Sequence, residues 1–160
     1  MGLDISAYKN LQKEELKGDY GDERYEYAYQ QDWVEFYTHN QPDVFQHEDV
    51  DGDYFYSSPN GRISMRAGSY SGYSIWRAKL SRFALSLPKD SYGNVPFNEL
   101  IQYSDCEGVI GAKCSTKLAN DFATYEIDAR HVFDDYSFNM YKEWREMFEY
   151  ASENGAVKFH

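Results

Sequence analysis

RAGSYSGYSIWRAKLSR, from Arg66 to Arg82, carries a strand end, a turn and a helix in 17 residues. Just before it, Ile63, Met65 and Ala67 alternate with Arg62, Ser64 and Arg66, the period of a strand with one buried face and one that presents arginines. Gly68 to Gly72 breaks that period in a Gly/Ser/Tyr loop. Tyr73, Trp76, Leu80, Phe83, Ala84 and Leu87 then mark one stripe of a helix, and Pro88 ends it. The stretch is also electrically distinct. The chain has 27 acidic and 16 basic residues, yet the 36 positions from Tyr54 to Lys89 hold no Asp or Glu, while Arg62, Arg66, Arg77, Lys79, Arg82 and Lys89 all fall there. A strand, a glycine-rich turn and a helix N-terminus beside arginines make backbone N–H groups and the helix dipole available to an anion.

Toward the N-terminus, Tyr54–Ser57 and Arg62–Ala67 flank Pro59 and Asn60-Gly61, which predicts a hairpin because Asn-Gly supplies positive φ angles. In the acidic run before it, Asp49, Asp51 and Asp53 alternate as the first ligands of a calcium loop do. Gly52 precedes the third aspartate instead of following it, and Asn60 stands where a bidentate Glu is needed, so a solvated acidic turn is expected. Residues 25–39 fit both periods: Tyr25, Tyr27 and Tyr29 alternate, whereas Tyr25, Tyr29, Trp33 and Phe36 have helical spacing, and a strand is favoured over Trp33–Tyr37. A polar connection is expected over 10–22. Leu3, Ile5 and Ala7 alternate with Asp4, Ser6 and Tyr8 as an opening strand.

Toward the C-terminus, Ile110, Cys114, Leu118 and Phe122 recur every four residues, predicting a helix after the SDCEG turn with Asp105 and Glu107 at its N-terminal end. Those carboxylates either favour the helix N-terminus or orient a ligand hydroxyl, ring nitrogen or metal. A charged connection over 126–135 leads to a helix with Tyr141, Trp144, Phe148 and Ala151 on one stripe, stopped by Asn154-Gly155. Val157 and Phe159 alternate with Lys158 and His160 as a closing strand. Together these predict one α+β domain over residues 1–160, a mainly antiparallel sheet with about three helices packed on it. Trp76, Leu80, Phe83, Ile110, Leu118, Phe122, Trp144 and Phe148 are expected to share its core.

Composition narrows the function classes. A net charge of −11 and a pI near 4.7 argue against direct binding to nucleic acid or an anionic membrane, and permit an acidic decoy for a nucleic-acid-binding partner. Two cysteines are no disulfide framework. Asp105 and Glu107 would oppose a reactive Cys106 thiolate, and Cys114 falls on the apolar ridge. The four histidines, His39, His47, His131 and His160, show no metal-ligand spacing. No catalytic set, cofactor motif, signal peptide or membrane span is read, and neither a Walker loop nor GxGxxG is present.

Two readings of the opening unit stay open. In one, Ser69 or Ser71 caps the helix and Tyr70, Tyr73 and Trp76 are core. In the other, Arg66, Ser69, Tyr70, Ser71, Tyr73, Trp76 and Arg77, with Asp105 and Glu107 nearby, form a pocket for a phosphate-bearing, nucleotide-like ligand.

MGLDISAY, AGSYSGYSIWRAKL, PFNELIQYSDCEGVIGAKCSTKLANDF and the closing NGAVKFH together resemble an uncharacterised family of small proteins from tailed phages and prophages. The resemblance implies phage origin, action in the infected host cytoplasm and a non-structural accessory role, with no activity to carry onto residues. The acidic insertions around Tyr20 to Gln31 and His47 to Asp53 look less like the family. The leading expectation is a non-catalytic binding protein that sequesters the nucleotide-like ligand. The alternative is an acidic protein–protein inhibitor of a host defence or nucleic-acid-binding factor, with Glu48, Asp49, Asp51 and Asp53 as its surface. A small hydrolase using Asp105, Glu107 or a histidine is the third.

Overall fold

A computed structural model describes residues 2–17, 23–38, 43–103 and 107–160. The fold is α+β. Strands β1 (Gly2–Tyr8), β4 (Arg62–Ser69), β5 (Gly108–Gly111) and β6 (Ala156–Phe159) form an antiparallel sheet in the order β4-β1-β6-β5. A second sheet pairs β2 (Gln12–Lys17) with β3 (Tyr54–Ser57). The helices are α1 (Glu23–Gln30), α2 (Tyr70–Leu85), α3 (Asn98–Ile101), α4 (Ala112–Thr124), α5 (Glu126–Val132) and α6 (Asp135–Ala151).

Period-two patterning decides which side of the main sheet the helices cover. Leu3, Ile5 and Ala7 of β1, Met65 and Ala67 of β4, Ile110 of β5, and Val157 and Phe159 of β6 meet α2, α4 and α6 in one core. All eight residues expected to share a core do so. Two buried hydroxyls tie its layers together: Tyr73 donates to the Tyr103 carbonyl at 2.7 Å, and Tyr141 to the Phe122 carbonyl at 2.6 Å. The other face of the sheet is partly roofed by Val34, Phe36 and Tyr56, which pack on Tyr8, Val109 and Ala156.

Five local expectations are corrected. The polar stretch 12–17 is a strand, invisible to apolar alternation because QKEELK pairs as a ribbon through its backbone. Residues 23–30 are helix, and the segment Trp33–Tyr37 forms no strand among the described residues, meeting β3 of the second sheet through the Val34–Tyr56 bridge. The Ser58–Gly61 turn forms, with the Ser58 hydroxyl donating to the Gly61 carbonyl at 2.7 Å, but it does not close a hairpin. β3 leaves it to pair with β2, while β4, whose apolar face must meet the helices, pairs with β1. Ile110 lies on a strand instead of the α4 ridge, because Gly108 at φ 147° and the buried Gly-Val-Ile-Gly run hold the chain extended until Ala112.

α5 forms over residues expected as a connection. Gly155 then turns the chain against β1, where a Cβ would stand 1.7 Å from the Tyr8 carbonyl oxygen.

Candidate functional site

The unit from Arg66 to Arg82 contains less loop than its glycines suggest. β4 runs to Ser69 and α2 begins at Tyr70, with Gly68 at φ 96° making the corner. Ser69 Oγ accepts from the Gly72 amide at 3.0 Å and contacts Ser71 Oγ at 3.0 Å, so both hydroxyls serve the helix start. Tyr73 and Trp76 are core, and Tyr70 is 41% exposed. Burial pushes the Tyr73 hydroxyl well above its ordinary pKa, partly offset by Arg77. Arg77 donates to the Ile101 carbonyl at 2.9 Å and lies over the Tyr73 ring at 5.1 Å. It therefore fastens α2 to the end of α3. Arg66 alternates with Met65 and Ala67, so it emerges on the other side of the sheet, 3.6 Å from Asp4. The sheet separates the two guanidinium groups.

Asp105 and Cys106 lie outside the described residues. Glu107 is exposed, and its carbonyl accepts from the Tyr103 hydroxyl at 3.3 Å. The carboxylate at the start of α4 is Asp49, which accepts from the Lys113 amide at 3.0 Å. Beside it Glu48 pairs with Lys113 Nζ at 2.9 Å and Asp51 with Lys13 at 2.7 Å. Asp51 also accepts from the Asp53 amide at 3.0 Å. Three acids of that loop are thus engaged within the molecule. Cys114 is buried, which pushes its thiol up, out of the reactive range.

The face of the sheet away from the helices offers a different constellation. Pairing sets Arg62 opposite Tyr8 and Tyr8 opposite Ala156. It sets Ser64 opposite Ser6, and Lys158 between Ser6 and Val109. Ser6 is 1% exposed, and its hydroxyl contacts Ser64 Oγ at 3.3 Å and His160 Nε2 at 2.9 Å. Over Arg62 and Lys158 lies a cavity of about 370 Å³, walled by Tyr8, Tyr25, Tyr29, Trp33 and Phe55 and edged by Asp32 and Glu35. Tyr27 packs edge-on against Trp33, and Tyr25 packs at a tilt against Phe55, which supports these walls. A second hollow of about 400 Å³ adjoins it, with Glu107 and His160 in its lining; Lys158 and Glu35 line both.

The charges there are tuned by one another. The Tyr8 hydroxyl hydrogen-bonds Arg62 and holds its pKa above the usual range. Burial lowers Lys158, helped by Arg62, while Glu35 and Glu107 act the other way. Burial and then Lys158 lower His160, against the pull of Asp4. A guanidinium and a half-buried lysine beneath aromatic walls suit a phosphate or carboxylate attached to a flat ring.

Of this set, sequence patterning marks Arg62 as exposed on the polar face of its strand and Lys158 and His160 as the polar positions of the closing strand. The aromatic walls have no such signal, since α1 and the Trp33–Tyr37 segment reach the sheet only by tertiary folding. Among the described residues, no helix is long and apolar enough to cross a membrane. No protein-family model, curated protein or solved structure matches the chain.

Proposed function

We propose that this protein is a non-catalytic binding protein that sequesters a small anionic, nucleotide-like ligand, held on the open face of its sheet. The observation that carries this reading is the placing of Arg62 and Lys158 in one aromatic-walled cavity of a chain whose net charge is −11. The anion would lie against Arg62 with Lys158 beside it, a planar ring between the tyrosines and Trp33, and hydroxyl groups toward Asp32 or Glu35. We take this capture to be an accessory activity in the infected host cytoplasm, which is what the resemblance to small phage proteins would imply.

Calorimetry with mono-, di- and cyclic nucleotides tests the proposal on wild type, Arg62→Ala and Arg77→Ala. Loss of a charged hydrogen bond to the anion should weaken binding by ~1.5–3 kcal/mol, roughly ten- to a hundredfold, in Arg62→Ala. Arg77→Ala should leave affinity unchanged. The reverse result would return the site to the Ser69–Arg77 corner, and no binding across the panel would remove both locations.

A second reading, occlusion of a host defence or nucleic-acid-binding factor, draws on α1, where Glu23, Glu26, Tyr27 and Tyr29 are all exposed. Host capture that is insensitive both to salt and to Glu23→Gln with Glu26→Gln would exclude it.

A further inference from the structure

We propose that Lys158 is a covalent capture site, whose amine condenses with an aldehyde on the anionic ligand to form a reversible imine in the open-face cavity. This rests on the ligand cavity proposed above and adds a chemical class to its occupant.

The lysines of this chain are not alike. Lys9, Lys13, Lys79, Lys113 and Lys117 are ion-paired to Glu153, Asp51, Asp134, Glu48 and the Glu99–Asp121 pair, respectively. Lys142 lies over the Phe138 ring, and Lys89 is exposed. Lys158 is half-buried on a central strand, where two cavities meet, with no hydrogen bond or ion pair to a described side chain. Burial and the Arg62 charge favour its free amine, the form that attacks carbonyl carbon. Hydrogen bonds to carboxylate partners instead raise the pKa of Lys13, Lys113 and, against burial, Lys117.

The neighbours supply what condensation needs. Arg62 lines the first cavity with Lys158 and can hold the ligand's anion while the aldehyde reaches Nζ. The Nζ lone pair adds to the carbonyl carbon and the C=O π pair moves to oxygen. A proton passes from nitrogen to that oxygen, giving a carbinolamine. Loss of the hydroxyl with one further proton, as water, leaves the C=N bond. One amine and one aldehyde give one imine and one water, with no oxidation or reduction. Glu35, which lines both cavities, and His160 and Glu107, which line the second, are the titratable groups placed to carry those protons.

Pyridoxal 5′-phosphate is a suitable probe, being a flat ring with a phosphate and an aldehyde; pyridoxine 5′-phosphate, its alcohol counterpart, cannot form the imine. Borohydride reduction and peptide mass spectrometry on the wild-type chain should find the adduct on Lys158 in roughly tenfold or greater excess over exposed Lys89, as expected when a bound ligand reacts in place of one colliding from solution. Lys158→Arg and Lys158→Met, checked for folding by circular dichroism, should lose it. An adduct spread evenly over the surface lysines overturns the proposal. If the alcohol binds but the aldehyde leaves no adduct on Lys158, the covalent step fails and the ligand cavity stands; if neither binds, both fail.

Discussion

Lys158 is half-buried on a central strand with no ion pair to a described side chain, and Glu35 and Glu107 offset only part of the hydration it loses, so it weakens the structure it belongs to. Lys158→Met, which keeps the aliphatic stem and removes the charge, should stabilise the protein by about 1 kcal/mol in a urea titration. A loss of stability would instead make Lys158 part of the scaffold. His160 has a pKa below its unfolded value, so the unfolded chain binds more protons than the native one between those two values. Its penalty is present in full below the folded pKa and has gone by the ordinary value of 6.5. Stability should therefore rise with pH through that interval, and His160→Gln should flatten the rise in denaturation midpoints taken across it. At this scale the polar alternation of Arg62, Ser64, Lys158 and His160 was readable from period two alone. Their convergence was not, because it depends on register between strands far apart in the chain.

Helices whose apolar stripes face one core, such as α2 and α6, can be read from spacing; Ser69 caps α2 as one reading expected, whereas Asp134 caps α6 from within the stretch expected as a connection. The start of α4 could not be found this way. Its first residue follows Gly111, which has no side chain to cap with, and the cap arrives from Asp49 in a loop whose acids suggested solvent or calcium. Asp49→Ala should cost ~0.5–2 kcal/mol and lower the melting temperature, whereas Asp49→Asn, which keeps an acceptor, should cost less. Equal effects would mean that charge near the helix end matters more than the hydrogen bond. β2 escaped detection for a different reason. A polar two-stranded ribbon needs no alternating apolar face, only a partner backbone, and β3 supplied one after the Ser58–Gly61 turn released it from β4.

Across the whole molecule, the acid-free window is divided between two surfaces. Arg62 and Arg66 face one side of the sheet, Arg77 and Lys79 the other, so charge that clusters along the chain does not cluster in space. The order β4-β1-β6-β5 has one further consequence, in time. β6, residues 156–159, enters between β1, residues 2–8, and β5, residues 108–111, so the centre of the sheet pairs segments about 150 residues apart. Contacts of such sequence separation make folding slow, since the loop must close before they contribute. Lys158 reaches its place only when that strand docks, while Arg62 and Tyr8 can be paired beforehand. In stopped-flow refolding, recovery of ligand binding should therefore follow the slowest major phase of tryptophan fluorescence and show no earlier component. Early recovery would mean that β1 and β4 alone suffice to bind. On the expected result the cavity acts as a clock for its own fold, and the proposed capture of a ligand waits until β6 is seated.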